Sequence, residues 1–197
     1  MNSGVFFDLD DTLFPHRDDT LQRIMRVCES LRLGSEAVDR WQSMWIEHGS
    51  KNRGLIDTLI TEGSLPDVKN ELLDSYRSVQ PNLTMDADLR RTISELRQEH
   101  CVIVLTNGNP IIQKSKIDAL SLWDLADELL IAEGEFLKPS PYWINFVIER
   151  HSLAREKSVF FGDNDETDGG AARNAAITFW LTSSRDIGKD IFNWKIS

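Results

Sequence analysis

Three short apolar segments constrain the fold of this chain most strongly. They are residues 5–7, 101–105 and 159–161, and none of them alternates polar with apolar side chains. A strand that is apolar on both faces must be covered on both faces, which is typical of a parallel sheet between two layers of helices. After residue 81, segments with helical spacing alternate with these runs and with further predicted strands at 129–131 and 177–181. The sequence therefore predicts an α/β fold built on a doubly wound, Rossmann-like parallel sheet.

A second kind of pattern interrupts this alternation. From residue 15 to residue 81 the apolar side chains recur almost entirely at helical steps of three and four. We therefore expect a core domain made of residues 1–14 and 82–197, with an all-helical domain of residues 15–81 inserted after the first strand. A helical insertion beside a site is well placed to act as a lid.

Composition and charge exclude several classes of protein. The 197 residues suffice for a core domain with a small inserted module, and 41% hydrophobic content argues against disorder. A net charge of −10 disfavours nucleic acid polymers and anionic membranes as partners. Because there is no leader-like segment, no apolar run of about 20 residues and no metal-ligand spacing of the cysteines, we expect a cytoplasmic location.

Polar side chains follow the predicted strands where each strand ends. Asp8 and Asp10 come directly after the first strand and should point to one face of it. Two adjacent carboxylates repel each other unless a cation lies between them, and Mg²⁺ prefers oxygen ligands, so Asp163 after a later strand is a candidate third ligand. Taken alone, the first pair could equally form a turn or a helix cap. Since ligands of open α/β sheets bind at the carboxyl ends of the strands, the pattern favours a magnesium-dependent phosphate site.

Three further positions fit the same interpretation. Thr106 and Asn107 end a strand before a helix start, where a hydroxyl, an amide and backbone N–H groups can hold phosphate oxygens. Lys138 is kept extended by Pro139 and could pair with a carboxylate or a phosphate. Each has a plain alternative, which is a capped turn for the first two residues and a solvated lysine for the third.

These patches, in this order, resemble the motifs of the haloacid dehalogenase-like superfamily over nearly the whole chain. The first motif of that family, Asp-x-Asp-x-Thr, is matched by residues 8–12, and the second, a strand that ends in Thr or Ser, by Thr106. Lys138 matches the third motif, while Asp163 and Asp168 match the fourth, Gly-Asp-x4-Asp. The resemblance implies a phosphatase with a helical cap between its first and second motifs.

The resemblance also implies a role for each residue of the first loop. Asp8 would be the nucleophile that forms an aspartyl-phosphate, and Asp10 would protonate the leaving oxygen and then activate water. Family dehalogenases lack a carboxylate at the second of these positions, so Asp10 favours phosphate transfer over dehalogenation.

The other roles concern the phosphate and the metal. Thr106, Asn107 and Lys138 would hold the phosphoryl oxygens, with Lys138 also counted among the catalytic residues. Asp8, Asp163 and the backbone carbonyl of Asp10 would bind Mg²⁺. Asp168 would act behind them by orienting Lys138 or a water on the metal.

The substrate is predicted only by class. Caps of this kind go with small substrates, so we expect a phosphorylated metabolite such as a nucleoside monophosphate or a sugar phosphate. Residues 47–55 are distantly similar to the cap segment of pyrimidine 5′-nucleotidase-like members, where Lys51 or Arg53 could contact the leaving group. The plain alternative for either residue is a solvated helix terminus. The alternatives are a phosphomutase of the same superfamily and a non-catalytic phospho-binding or signalling module. Oligomeric state is not predicted.

Overall fold

The chain divides into two compact units, residues 1–16 with 82–197 and residues 17–81. The computed structural model describes residues 3–49 and 54–195 of them. Within these ranges, every helix is too short or too polar to cross a membrane. The assignment of the helical residues 15–81 as a cap domain stays a prediction.

The described residues of the first unit form a five-stranded sheet in the order β3-β2-β1-β4-β5, with every pair of neighbours parallel. The strands are β1 (Gly4–Phe7), β2 (Cys101–Asn107), β3 (Glu128–Ala132), β4 (Val159–Gly162) and β5 (Thr178–Leu181). The chain begins at the central strand, builds outward to β3, and then returns to build outward to β5 on the other side. The predicted doubly wound α/β fold is therefore confirmed.

Helices cover both faces of this sheet. In the described part of the unit they are α5 (Ala87–Glu99), α6 (Pro110–Ala119), α7 (Tyr142–His151), α8 (Gly170–Asn174) and α9 (Ile187–Lys195). Successive side chains of a strand point to opposite faces, so Val5 and Phe7 pack with residues of α5, α6 and α9, whereas Phe6 packs with residues of α7 and α8. The α9 helix lies beyond the last element that the sequence pattern predicts.

Stacked rings fix the centre of the sheet. Phe6 stacks on Phe160 and Phe7 stacks on Phe161 across the β1–β4 pair, with ring centroids 6.1 and 5.5 Å apart. All four side chains are fully buried, and burying each contributes on the order of 1.5–3 kcal/mol. The loops that follow β1 and β4 are therefore held side by side.

Helices are the only regular elements among the described residues of the second unit. It consists of α1 (His16–Ser30), whose first residue belongs to the other unit, α2 (Ser35–His48), α3 (Leu55–Thr61) and α4 (Lys69–Ser78). Arg23 of α1 is fully buried in it and donates to the carbonyl oxygens of Tyr76 and Val79 at 3.0 and 2.8 Å. These carbonyls lie at the end of α4, where backbone acceptors lack intrahelical partners, so the guanidinium satisfies that helix end.

Candidate active site

Asp8 lies at the centre of the carboxyl edge of the sheet. It follows β1 directly, and its backbone N–H donates to the carbonyl oxygen of Phe161 at 2.9 Å. Its buried carboxylate accepts a hydrogen bond from Nζ of Lys138 at 2.5 Å. The same Nζ lies 2.7 Å from Oδ1 of Asp168 and 3.0 Å from the carbonyl oxygen of Leu105. Residues from four separate segments of the chain thus meet at one ammonium group.

Asn107, at the end of β2, holds the backbone of Lys138. Its side-chain oxygen accepts from the Lys138 N–H at 2.9 Å, and its amide nitrogen donates to the Lys138 carbonyl oxygen at 3.1 Å. This pair of bonds fixes the segment that carries Lys138 against the sheet. The Asn107 amide, which was predicted to hold a phosphate, is engaged with a neighbouring backbone here.

Asp163 and Asp168 come from the loop after β4. Asp168 is buried, and its second oxygen accepts from the backbone N–H of Asn164 at 3.1 Å. Gly162 is required beside it, since a Cβ at that position would lie 2.5 Å from Oδ2 of Asp168. The predicted helix start over 167–175 is a π-helical turn, Asp165–Gly169, followed by α8.

Asp8, Asp163 and Asp168 form an acidic cluster. Each offers one carboxylate oxygen, and these oxygens all lie within 4.8 Å of one another. With all three ionised and Lys138 as the neighbouring cation, the group carries a net charge of −2. A divalent cation with oxygen ligands would balance that charge, so the donor set fits such an ion.

The titration behaviour reflects this crowding. Burial, and then repulsion from Asp168 and Asp10, raises the pKa of Asp8 to about 7 in spite of Lys138. Desolvation, followed by repulsion from Asp168 and Asp11, raises the pKa of Asp163 to about 6. Burial pushes the pKa of Lys138 downward, but Asp8 and Asp168 outweigh it and hold that pKa above its ordinary value. The lysine therefore stays charged.

Asp10 has different neighbours. Its Oδ1 lies 2.7 Å from Nζ of Lys116 and its Oδ2 accepts from Nε2 of Gln113 at 3.0 Å. The same Nε2 donates to the hydroxyl of Thr106 at 2.6 Å, and Nδ1 of His16 lies 3.5 Å from Oδ1 of Asp10. Burial alone would raise the pKa of Asp10, but the charges of Lys116 and His16 hold it below the ordinary value. We call Asp10, Thr106, Gln113 and Lys116 the Asp10 network.

The structure thus places the predicted site residues in two groups. The acidic cluster with Lys138 and its partner Asn107 is one group, and Asp10 with Thr106 is the other. Sequence reasoning missed Gln113 and Lys116, which share the inward face of α6 with Ile117. Two polar residues on an otherwise apolar helix face were the available signal. Lys51 and Arg53 lie outside the described residues.

Comparison with known proteins gives a consistent assignment. The profile of the haloacid dehalogenase-like hydrolases matches residues 5–182. The N-acylneuraminate-9-phosphatase of Rattus norvegicus is 28% identical over 106 residues, which are 52% of this chain and 43% of that protein. The glyceraldehyde 3-phosphate phosphatase of Pyrococcus furiosus is 30% identical over 95 residues, 47% of this chain and 40% of that one. The chain thus spans less than half the length of these curated relatives.

Solved structures agree at the level of the fold. A HAD-hydrolase from Bacillus subtilis bound to magnesium superposes with a TM-score of 0.74 at 19% identity, covering 92% of this chain and 86% of that one. A HAD-superfamily hydrolase from Geobacter sulfurreducens gives a TM-score of 0.69 at 19% identity over 96% of each chain. At these identities the likeness shows the shared fold alone.

Proposed function

The chain belongs to the haloacid dehalogenase-like hydrolase family, and we propose that it hydrolyses the phosphomonoester of a small metabolite with the help of Mg²⁺. The observation that carries the proposal is the acidic cluster around Lys138 at the carboxyl edge of the sheet, with the carboxylate of Asp10 held nearby in the same loop. The phosphatase names of the curated relatives support the same reaction class.

The first step would be attack by a carboxylate oxygen of Asp8 on phosphorus. The O–P bond of an aspartyl-phosphate forms while the bond from phosphorus to the substrate oxygen breaks, and Asp10, which enters this step in its protonated form, gives its proton to that leaving oxygen. Lys138, already in contact with Asp8, would offset the charge that grows on the phosphoryl oxygens, and the hydroxyl of Thr106 would donate to one of them.

The second step would release phosphate. Asp10, now a carboxylate, takes a proton from water as that water attacks the phosphorus, and the Asp8 carboxylate leaves. The hydrogen bonds that Asp10 accepts from Gln113 and Lys116 suit this basic form.

Asp8, Asp163 and the backbone carbonyl of Asp10 would hold Mg²⁺, with Asp168 orienting Lys138. When bound, Mg²⁺ would balance the charge of the cluster and polarise a phosphoryl oxygen. The chain's own contribution is the acidic cluster, whose carboxylate oxygens lie within 4.8 Å of one another, and the ammonium group of Lys138, which contacts Asp8 and Asp168.

Phosphate release tests the proposal. The purified protein is incubated with a panel of nucleoside monophosphates and sugar phosphates, with Mg²⁺ and with a chelator. We expect Mg²⁺-dependent release of inorganic phosphate from one group of small esters. Transfer of the phosphoryl group between positions of a sugar phosphate, without release, would assign the chain as a mutase. Retention of a phosphate mimic without any turnover would make it a phospho-binding module.

A further inference from the structure

Two polar side chains of α6 are buried where a helix normally presents apolar residues. Gln113 is 2% exposed and Lys116 is 1% exposed, and both point to the same interior as Ile117. Burying an ammonium group or an amide without partners costs several kcal/mol, so these residues need a compensating set of acceptors. The acceptors include Asp10 and Thr106, which the proposed reaction uses, and the carbonyl oxygen of Asn107, to which Nε2 of Gln113 lies at 3.3 Å.

Gln113 joins the two motifs with one amide group. Its Nε2 donates to Oδ2 of Asp10 at 3.0 Å and to Oγ1 of Thr106 at 2.6 Å. Because the Thr106 hydroxyl accepts this bond, its own hydrogen is left to donate, and it makes only a long contact of 3.4 Å with the carbonyl oxygen of Asn107. A phosphoryl oxygen could replace that long contact.

The backbone leaves room for this amide. Gly108 has a φ of +145°, and a Cβ there would lie 3.1 Å from Cγ of Gln113. The turn between β2 and α6 therefore packs directly against the Gln113 side chain, which restricts its rotation.

Lys116 holds the other oxygen of Asp10. Its Nζ donates to Oδ1 at 2.7 Å, lies 3.3 Å from Nδ1 of His16, and sits 5.7 Å from the centre of the Phe14 ring. Because each carboxylate oxygen of Asp10 accepts a hydrogen bond, rotation of this side chain would break at least one of the two bonds.

A helix can be anchored by a buried ion pair with no bearing on chemistry. Here, however, Gln113 and Lys116 both donate to the carboxylate to which the proposed function gives the proton transfers. Gln113 also donates to the hydroxyl that the proposed function assigns to the phosphate. We propose that Gln113 and Lys116 are positioning residues that hold Asp10 in the orientation from which it passes its proton. The inference rests on the proposed phosphatase function.

The test compares an ester that needs a proton on its leaving group with one that does not. Glycerol 2-phosphate has an alkoxide leaving group, whereas the p-nitrophenolate of p-nitrophenyl phosphate leaves without protonation. For Lys116→Met we expect kcat/KM, which reports on steps up to formation of the aspartyl-phosphate, to fall about 10- to 100-fold for the alkyl ester and less than about threefold for the aryl ester. Gln113→Leu should show the same selectivity with a smaller loss.

The second step supplies another readout. A misplaced Asp10 activates water poorly, so the aspartyl-phosphate should accumulate in Lys116→Met, visible as a burst of p-nitrophenol before slow turnover. In an Asp10→Asn background, adding Lys116→Met should lower kcat/KM for the alkyl ester by less than about a further twofold, because the carboxylate that Lys116 positions is already absent. Lys114→Met, an exposed lysine of the same helix, is the matched control and should behave as the wild type.

The outcomes separate this inference from the function on which it rests. Wild-type protein that releases phosphate from no ester would refute the proposed function and this inference with it. Activity of the wild type combined with equal losses of Lys116→Met on both esters, or with full additivity in the Asp10→Asn background, would refute the inference alone. If Lys116→Met does not fold, Gln113→Leu decides by the same two criteria, since it leaves the ion pair of Asp10 intact.

Discussion

Asp8 and Asp10 lie two residues apart in one loop, yet the protein surrounds them in opposite ways. Asp8 shares one ammonium group, Lys138, with Asp168, lies close to Asp163, and has a pKa raised to about 7. Asp10 has Lys116, Gln113 and His16 around it and a lowered pKa. The acidic cluster carries more negative charge than its own residues balance, whereas the Asp10 network already contains its cation. A metal ion is therefore expected at the first carboxylate, whereas the second, to which the proposed function gives the proton transfers, already has its counter-charge in Lys116.

The largest effect is expected for substitution of Asp8, the proposed nucleophile, and it distinguishes Asp8 from the proposed proton carrier Asp10. Asp8→Asn keeps the size of the side chain but removes the attacking oxygen, and we expect kcat to fall by at least about 10³-fold. Phosphate release with the best ester of the panel measures it, and mass spectrometry should find no phosphorylated protein. Substantial activity in Asp8→Asn would assign the nucleophile elsewhere.

Asp10→Asn should lower kcat less than Asp8→Asn does, and it should slow a different part of the reaction. We expect a fall of about 10²- to 10³-fold, since general acid–base catalysis typically contributes this much, with the phosphorylated protein still formed from an ester that has a good leaving group. Rapid-quench measurement of the phosphorylated protein checks this. If Asp10→Asn and Asp8→Asn both abolished its formation, the two roles would not be distinct.

Stability of the metal-free protein should fall for one of the same two substitutions and not for the other. Asp10→Asn leaves the buried Lys116 without a charged partner, which costs roughly 2–4 kcal/mol. Asp8→Asn removes a carboxylate whose ionisation is opposed by burial, and Lys138 keeps Asp168, so no loss is expected at pH 8. Urea unfolding in the presence of a chelator measures both. Equal destabilisation by the two substitutions would contradict the difference between the surroundings of Asp8 and Asp10.

Magnesium should stabilise the protein more at pH 7.5 than at pH 5. Between its ordinary pKa and about 7, Asp8 is protonated in the folded state and ionised in the unfolded state, so its contribution to stability falls as the pH rises; Asp163 behaves likewise up to about 6. The metal binds the ionised form, so protons compete with it at low pH. We expect the rise in Tm on adding Mg²⁺ to be at least about twice as large at pH 7.5. The pH dependence should diminish in Asp8→Asn, and a rise independent of pH would place the metal elsewhere.

The same comparison shows which features of the fold and of the candidate site could be predicted from the sequence. The strands and the loop positions of Asp8, Thr106, Asn107, Lys138, Asp163 and Asp168 followed from local apolar runs and the polar residues after them. The partners of Asp10 did not, because Gln113 and Lys116 lie more than 100 residues away, and two polar residues on an apolar helix face do not identify the side chain that they contact. The α9 helix was missed although Ile187, Ile191 and Trp194 recur at helical steps on the face that packs against the core. Local pattern predicts elements, whereas the partner of a side chain depends on tertiary contacts.

The smallest expected effect concerns Asn107, whose amide binds the backbone of Lys138 beside the acidic cluster. Asn107→Ala leaves the N–H and the carbonyl of Lys138 unpaired, which should cost about 1–3 kcal/mol of stability. Because Lys138 would then be held less firmly against Asp8, we expect kcat to fall about three- to tenfold, with the leaving-group dependence of kcat/KM unchanged since Asp10 is untouched.

Asp86→Ala is the matched control for Asn107→Ala. It removes the N-cap of α5, where Asp86 accepts from the N–H groups of Asp88 and Leu89, and should cost about 1 kcal/mol without slowing turnover. If both variants lose activity only in proportion to stability, Asn107 is a structural clamp. If Asn107→Ala instead becomes selective for good leaving groups, the residue acts through Asp10, and the boundary between the acidic cluster and the Asp10 network must be redrawn.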